Sequence, residues 1–190
     1  SIETPRRSLP SRPGRFRADW FEGGLGRTTT DLGAGRDRST VTRVCLLGDP
    51  DVSLSYELLS RETAREALAT YDIEEPFENS VAVDTVSLGA AVSLLNDLNW
   101  YLVRFVDEAL VLEPSVSRSE WLSRDLARAV RDGAVPPEET DQRLKVFGLI
   151  DGEPVEPMFV QRVQGQTPEY DLRDVDETLV VRVSEAEFSG

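Results

Sequence analysis

The composition of the chain changes abruptly near residue 40, and this break limits which residues can build a folded core. Residues 1–40 carry eight arginines against five acidic residues, with six glycines and three prolines. They follow neither the period of a strand nor that of a helix. The remaining residues carry 13 basic and 30 acidic side chains, a net charge of −17. We therefore expect the folded domain to begin at residue 41.

Three interpretations of residues 1–40 stay open. They form a disordered leader, or an arginine-rich arm whose Phe16, Trp20 and Phe21 stack on nucleic-acid bases, or sequence upstream of a true start at Val41. A secretory signal is not expected, because no apolar segment follows the arginines.

The basic residues are almost all arginines. Of 21 basic residues, 20 are arginine; Lys145 is the one lysine, and histidine is absent. An acid excess spread along the chain with so little lysine is typical of proteins that work in molar potassium chloride, so we expect a halophilic, cytoplasmic protein. At such salt the Debye length falls to about 3 Å, so a nucleic-acid partner is not expected. No apolar run reaches the roughly 18 residues of a membrane span, so no membrane contact is expected.

The residue types also exclude several chemistries. Without histidine, the Ser-His and Cys-His nucleophile systems and histidine-ligated zinc are excluded. Cys45 is the one cysteine, which excludes an internal disulfide and a cysteine-rich metal site. Its place in the run VCLL predicts a buried, inert thiol. Gly48 stands alone after its strand, so no phosphate-binding or dinucleotide-binding loop follows, and we expect no cofactor.

The hydrophobic pattern predicts alternating strands and helices. We predict, in order, a strand at 41–47, a helix ending near 71, a strand at 81–88, a helix from Gly89, a hairpin of YLVRFV and ALVLEPSV, a helix at 118–132 after a capping box of Ser117 and Glu120, a helix in PPEETDQRLKVF, and a hairpin turning at Asp151 and Gly152.

These elements predict an α+β fold in which helices pack on one face of a mixed or antiparallel sheet. A ferredoxin-like arrangement is an alternative if YDIEEPF supplies an extra strand. We expect a globular domain over residues 41–163, which ends in a helical and hairpin extension. Residues 164–190 form an acidic tail in which TLVVRV is one more strand.

The stretch LLGDPDVS carries the clearest candidate for catalysis. Asp49 and Asp51 follow a buried strand and resemble the paired aspartates of haloacid-dehalogenase-type phosphotransferases, which use magnesium. The resemblance departs from that pattern at Val52, where a glycine is expected, and Lys145 is the one lysine available to it. An Asp-Pro-Asp sequence is also typical of an ordinary turn, and this is the interpretation we favour.

Three arginines form the best candidate for a partner-binding surface. Arg124, Arg128 and Arg131 follow the i, i+4, i+7 spacing of one helix face on an otherwise acidic chain. The alternative, which we favour, is that Glu120 and Asp125 pair with them along the helix.

Other polar and aromatic residues have structural interpretations. We expect Trp100, Tyr101 and Trp121 to belong to the core rather than to a pocket. Asp84 lies within a strand and needs a partner if it faces inward, and Arg104 is the candidate.

The run RVCLLGDPDVSLSYELLSRETAREALATYDIEEPFEN, together with NWYLVRFVDEALVLEPSVSRSEWLS, resembles an uncharacterised haloarchaeal family, a domain of unknown function. The resemblance covers roughly residues 41–163. It implies a haloarchaeal, cytoplasmic origin and brings no activity, ligand or catalytic residue.

Two functional hypotheses follow. The first is a non-catalytic module that binds an unidentified protein or small ligand, with a role in regulation and with Arg124, Arg128 and Arg131 as the contact. The second is a magnesium-dependent phosphotransferase or phosphatase that uses Asp49, Asp51 and Lys145.

Overall fold

The computed structural model describes residues 41–170, 172 and 174–190, so the three interpretations of residues 1–40 lie outside the described residues. The strands are β1 Thr42–Gly48, β2 Ser80–Thr85, β3 Val106–Leu112, β4 Trp121–Ser123, β5 Arg143–Ile150, β6 Glu153–Pro154, β7 Met158–Gln161 and β8 Glu177–Arg182. The helices are α1 Leu54–Leu59, α2 Glu62–Leu68, α3 Leu88–Asp97, α4 Asn99–Phe105, α5 Arg124–Arg131 and α6 Glu185–Ser189, with a 3-10 turn at Pro137–Glu139. None of these helices is long and apolar enough to cross a membrane.

All eight described strands join one sheet. Its order is β2-β1-β3-β4-β8-β5-β6, and β7 also pairs with β5. β4 and β8 run parallel, whereas the other neighbours are antiparallel. A mixed sheet with six helices confirms the predicted α+β fold.

β1 is buried on both faces, which explains its continuous apolar run. Val44 and Leu46 face a core formed with the helices. Cys45 and Leu47 face a second core on the opposite side of the sheet. This alternation follows from the two-residue period of a strand.

The helices pack against two different cores. The first core receives buried residues from α1, α2, α3, α4 and α5, so these five helices cover one face of the sheet. In the second core, residues of β1, β2 and β3 pack against Phe147 of β5 and Leu179 of β8, with Phe188 of α6 at its margin. The second face is thus covered by other parts of the sheet and by α6.

The topology differs from a ferredoxin-like arrangement. In a split βαβ unit the strands on either side of the first helix run parallel. Here β1 and β2 are adjacent and antiparallel, and YDIEEPF contributes a single bridge, between Glu74 and Ala82.

The predicted hairpin of YLVRFV and ALVLEPSV is wrong. YLVRF completes α4, in which Tyr101 and Leu102 are buried. β3 then continues through Asp107 and Glu108, the two residues of the predicted turn, and its register with β1 shifts at this point. These acids fit a strand because Asp107 is exposed, while Glu108 is paired with Lys145 of β5.

Two later helices are also corrected. Residues 121–123 of the predicted helix 118–132 form β4, and α5 begins only at Arg124, where Ser123 caps it by accepting the N–H of Leu126. Most of PPEETDQRLKVF forms the 3-10 turn and the start of β5. The Asp-Gly turn lies where it was predicted, between β5 and β6.

The sheet draws on residues from both sides of position 163. TLVVRV lies in β8 and its continuation, and β8 occupies the place between β4 and β5 in the sheet. Val181 is fully buried and Leu179 nearly so.

Candidate binding surfaces

The Asp49-Pro50-Asp51 segment is a hydrogen-bonded turn after β1. The Asp49 carboxylate accepts the N–H of Asp51 at 2.9 Å. The side chain of Asn79 stabilises this turn with three hydrogen bonds. Its Nδ2 donates to the carbonyls of Asp49 and Val52, and its Oδ1 accepts the N–H of Leu54. Sequence reasoning missed Asn79, which lies 30 residues from Asp49 along the chain.

Gly48 is required by the close approach of Asn79. A Cβ atom at this position would lie 2.5 Å from Asn79 Nδ2 and 2.9 Å from the Asn79 carbonyl oxygen. The glycine therefore serves the packing of the turn, and no ligand is needed to explain it.

Lys145 makes its contacts away from both aspartates. Its ammonium group binds the carboxylate of Glu108 and lies 5.1 Å from the ring centroid of Phe147. No hydrogen bond or ion pair among the described residues joins Lys145 to Asp49 or Asp51. Within the same residues, no group of three Asp, Glu, Cys or His side chains could hold a metal ion.

Cys45 is fully buried in the second core. Burial raises the pKa of its thiol to about 12, and the charge of Arg43 offsets this only partly. Because the thiolate is the reactive form, the thiol is inert at neutral pH.

Asp84 pairs with Arg43 and not with Arg104. Arg43 lies opposite Asp84 across β1 and β2, and its Nε donates to Asp84 Oδ1 at 2.7 Å. Arg43 also contacts Glu74 at 3.2 Å. Arg104 instead lies on α4, where its Nη1 donates to the carbonyl of Trp100.

Glu120 is the centre of a half-buried ion network that the sequence did not reveal. Its carboxylate accepts hydrogen bonds from Arg162 and Arg182, which come from beyond β7 and from β8. Arg182 also donates to the hydroxyl of Thr140 at 2.8 Å, and Arg162 to that of Thr167 at 2.8 Å. Burial acts to raise the pKa of Glu120, but the two arginines outweigh it and hold this pKa below its usual range.

Two open grooves flank Arg162, with volumes of about 430 and 390 Å³. Arg162 lines both of them, and its guanidinium group is engaged by Glu120, Thr167 and the carbonyl of Asp141. These bonds join Arg162 to Glu120, the residue before β4, and to Asp141 and Thr167. The contacts of Arg162 are therefore explained by the fold.

An aromatic residue is exposed where α1 and α4 meet. Trp100 is 48% exposed and Val103, one helical turn further, is 74% exposed. Two guanidinium groups flank the indole: the Arg104 carbon Cζ lies 3.8 Å from its centroid and that of Arg61 5.6 Å. We call Arg61, Trp100, Val103 and Arg104 the Trp100 surface.

Two further apolar side chains belong to the same pair of helices. Tyr56 is 68% exposed on α1, and Leu59 follows it by three residues. Of the three aromatic residues assigned to the core, Tyr101 and Trp121 are buried as predicted, and Trp100 is not. Trp100 and Tyr101 are adjacent in α4, so the sequence alone does not show which of the two rings faces solvent.

The three candidate arginines have different environments. Arg131 pairs with Asp132 at 2.8 Å, and Arg128 is exposed. Arg124 is half-buried, and its Nη2 approaches the carbonyl of Leu95 at 3.4 Å. The expected pairing with Glu120 is wrong, because Glu120 binds Arg162 and Arg182 instead.

The fold and these surfaces define an α+β protein of net negative charge with an exposed aromatic residue, Trp100, between two arginines. Among the described residues, five arginines have no ion pair to a carboxylate: Arg65, Arg104, Arg118, Arg124 and Arg128. The model of a family of unknown function, DUF5804, matches residues 42–149, more than half of the chain. The chain belongs to this family. The matched segment runs from β1 through nearly all of β5. No curated protein and no solved structure matches the chain.

Proposed function

We propose that this chain is a non-catalytic binding module of the haloarchaeal cytoplasm and that its partner is another protein. The observation that carries this proposal is the Trp100 surface. Tryptophan, tyrosine and arginine are the residues that most often dominate the energy of protein interfaces. A half-exposed tryptophan flanked by two arginines and an exposed valine is a costly surface to leave in water.

The residues of the Trp100 surface indicate which chemical groups a partner must present. Arg104 has donors to spare after its bond to the Trp100 carbonyl, whereas Arg61 is held by Glu57 at 2.8 Å. A matching segment would place an apolar side chain on Trp100 and Val103 and a carboxylate beside Arg104. The apolar part keeps its strength in concentrated potassium chloride, where exposed ion pairs are screened.

A matched pair of valines tests this proposal. Val103 and Val86 are 74% and 73% exposed. Val86 precedes α3 and Val103 lies within α4, so the two valines belong to different segments of the chain. A tagged full-length chain would be purified from haloarchaeal lysate in molar potassium chloride, alongside the variants Val103→Asp and Val86→Asp.

We expect a stoichiometric protein partner with the unmodified chain and with Val86→Asp, and its loss with Val103→Asp. Circular dichroism of each variant serves as the control for folding. Retention of the partner by Val103→Asp would contradict the proposed surface. Absence of any stoichiometric partner from all three chains would contradict the proposed function.

The phosphotransfer hypothesis stays a prediction without a supporting contact. The Asp49 carboxylate accepts a hydrogen bond within its own turn, and the ammonium group of Lys145 pairs with Glu108. Turnover of phosphorylated substrates with magnesium, abolished by Asp49→Asn, is the result that would support it.

A further inference from the structure

Arg124 and Arg128 lie one helical turn apart on α5, and neither forms an ion pair with a described residue. Seven basic residues in the described part of the chain contact a carboxylate within 3.4 Å. Neither Arg124 nor Arg128 has such a contact among the residues described, although acidic residues outnumber basic ones by 30 to 13 after residue 40. Arg65, Arg104 and Arg118 also have no such contact, but they lie in different parts of the chain, whereas Arg124 and Arg128 share one helix.

The hydrogen bonds of Arg124 are also incomplete. Its Nη2 makes two long contacts, to the carbonyl of Leu95 at 3.4 Å and to Asn96 Oδ1 at 3.5 Å. Its Nε is buried and has no hydrogen-bond partner in the described structure. A buried donor that stays unpaired costs free energy, because it has given up its hydrogen bond to water. The contacts with α3 therefore do not satisfy this guanidinium group.

The local electrostatics agree with this geometry. Burial lowers the pKa of Arg124, the neighbouring charge of Arg128 lowers it further, and Asp125 opposes them. An arginine in the first turn of a helix is also disfavoured by the helix dipole. An anion beside the two guanidinium groups would relieve the repulsion between them.

We propose that Arg124 and Arg128 together form a binding site for one oxyanion, a carboxylate or a phosphate group. Guanidinium groups recognise both by charge-assisted, often bidentate, hydrogen bonds. The oxyanion belongs either to a small metabolite or to an acidic side chain of a partner. Arg131 is not part of this site, because its Nε is bound to Asp132.

The test follows the Nε–H signal of Arg124 by nuclear magnetic resonance on the full-length chain. Potassium phosphate or potassium acetate replaces potassium chloride at constant ionic strength. The variants are Arg128→Gln and Arg124→Lys, which keeps the charge but removes the planar fork. Arg118→Gln is the matched control, since Arg118 is exposed and has no ion pair to a described residue.

We expect the Arg124 signal to shift saturably, with a dissociation constant at least tenfold higher in Arg128→Gln and unchanged in Arg118→Gln. In Arg124→Lys, where that signal is lost, the Arg128 Nε–H signal should show equally weakened binding. Tighter binding of phosphate points to a phosphorylated metabolite, and tighter binding of acetate to a carboxylate of a partner. Shifts that stay linear with concentration, or that are equal in Arg128→Gln and the unmodified chain, would overturn the proposal. This outcome is independent of the Trp100 surface, because Val103→Asp leaves both arginines in place.

Discussion

At the scale of single residues, Glu108 and Glu120 each meet a basic side chain, yet their surroundings shift their ionisation in opposite directions. Burial raises the pKa of Glu108, and one partner, Lys145, does not compensate, while Asp107 and Glu187 add repulsion. Burial has the same effect on Glu120, but there two arginines outweigh it. The direction of each pKa shift therefore follows from the balance between burial, cationic partners and acidic neighbours.

We expect Glu120→Gln to lower the free energy of unfolding at pH 7 by about 3 kcal/mol, because it leaves two half-buried arginines without a carboxylate. The folded-state pKa of Glu120 is depressed, so its stabilisation is complete above the unfolded value of about 4.3 and is lost as the pH falls through the folded value. Urea unfolding between pH 3 and 7 measures this. The free energies of unfolding of the unmodified chain and of Glu120→Gln should approach each other as the pH falls.

Glu108→Gln is the internal control. The raised pKa of Glu108 means that its ionisation costs stability as the pH rises from about 4.3 through the folded value. The unmodified chain should thus gain stability relative to Glu108→Gln on acidification. The same sign of pH dependence for both variants would contradict this account of the two sites.

At the scale of elements, the turn between β1 and α1 depends on a residue from another part of the chain. Asn79 satisfies two carbonyls and one N–H of this turn, and its own φ is +50°. Both the hydrogen bonds and the left-handed backbone favour asparagine there.

Replacing Asn79 separates these two contributions. Asn79→Gly keeps the backbone conformation and removes the hydrogen bonds, so we expect a loss of about 2 kcal/mol. Asn79→Ala adds the cost of the left-handed region, about 1 kcal/mol more. Urea unfolding measures both; an alanine variant as stable as the glycine variant would contradict the strain at this position.

The same scale shows why some elements were predicted and others were not. The turn at LLGDPDVS and the helix α3 follow from local sequence. The predicted boundary is wrong by a few residues, because β2 ends at Thr85 and Ser87, assigned to the strand, caps α3. YLVRFV does not, because its apolar residues suit either a strand or the end of a helix. Burial of Tyr101 and Leu102 against the first core decides for the helix, and this packing is invisible in a local window.

At the scale of the whole molecule, β8 connects the two parts of the sheet. It runs parallel to β4 and antiparallel to β5, so its removal would leave β4 with one neighbour and expose the second core. The sheet therefore depends on a strand that the composition of its surroundings, polar and acidic, had assigned to a tail.

We expect a chain that ends at Val163 to lose cooperative unfolding in urea and the near-ultraviolet dichroism of Trp121, which lies in the second core. A chain that ends at Val183 keeps β8 and lacks α6; it should still unfold cooperatively. Cooperative unfolding of the shorter chain would show that β8 is dispensable.

The sequence by itself determined the composition break at residue 40, the absence of histidine chemistry, the buried strand β1 with its inert cysteine, and the α+β class. These follow from residue types and short periods, which act locally. Only the tertiary structure decided that Asn79 holds the Asp49 turn, that Glu120 binds Arg162 and Arg182, that Trp100 faces outward, and that Arg124 and Arg128 stand without carboxylates. Each of these depends on which distant residues the sheet brings together, and contacts across 30 to 62 positions of the chain leave no periodic signal in it.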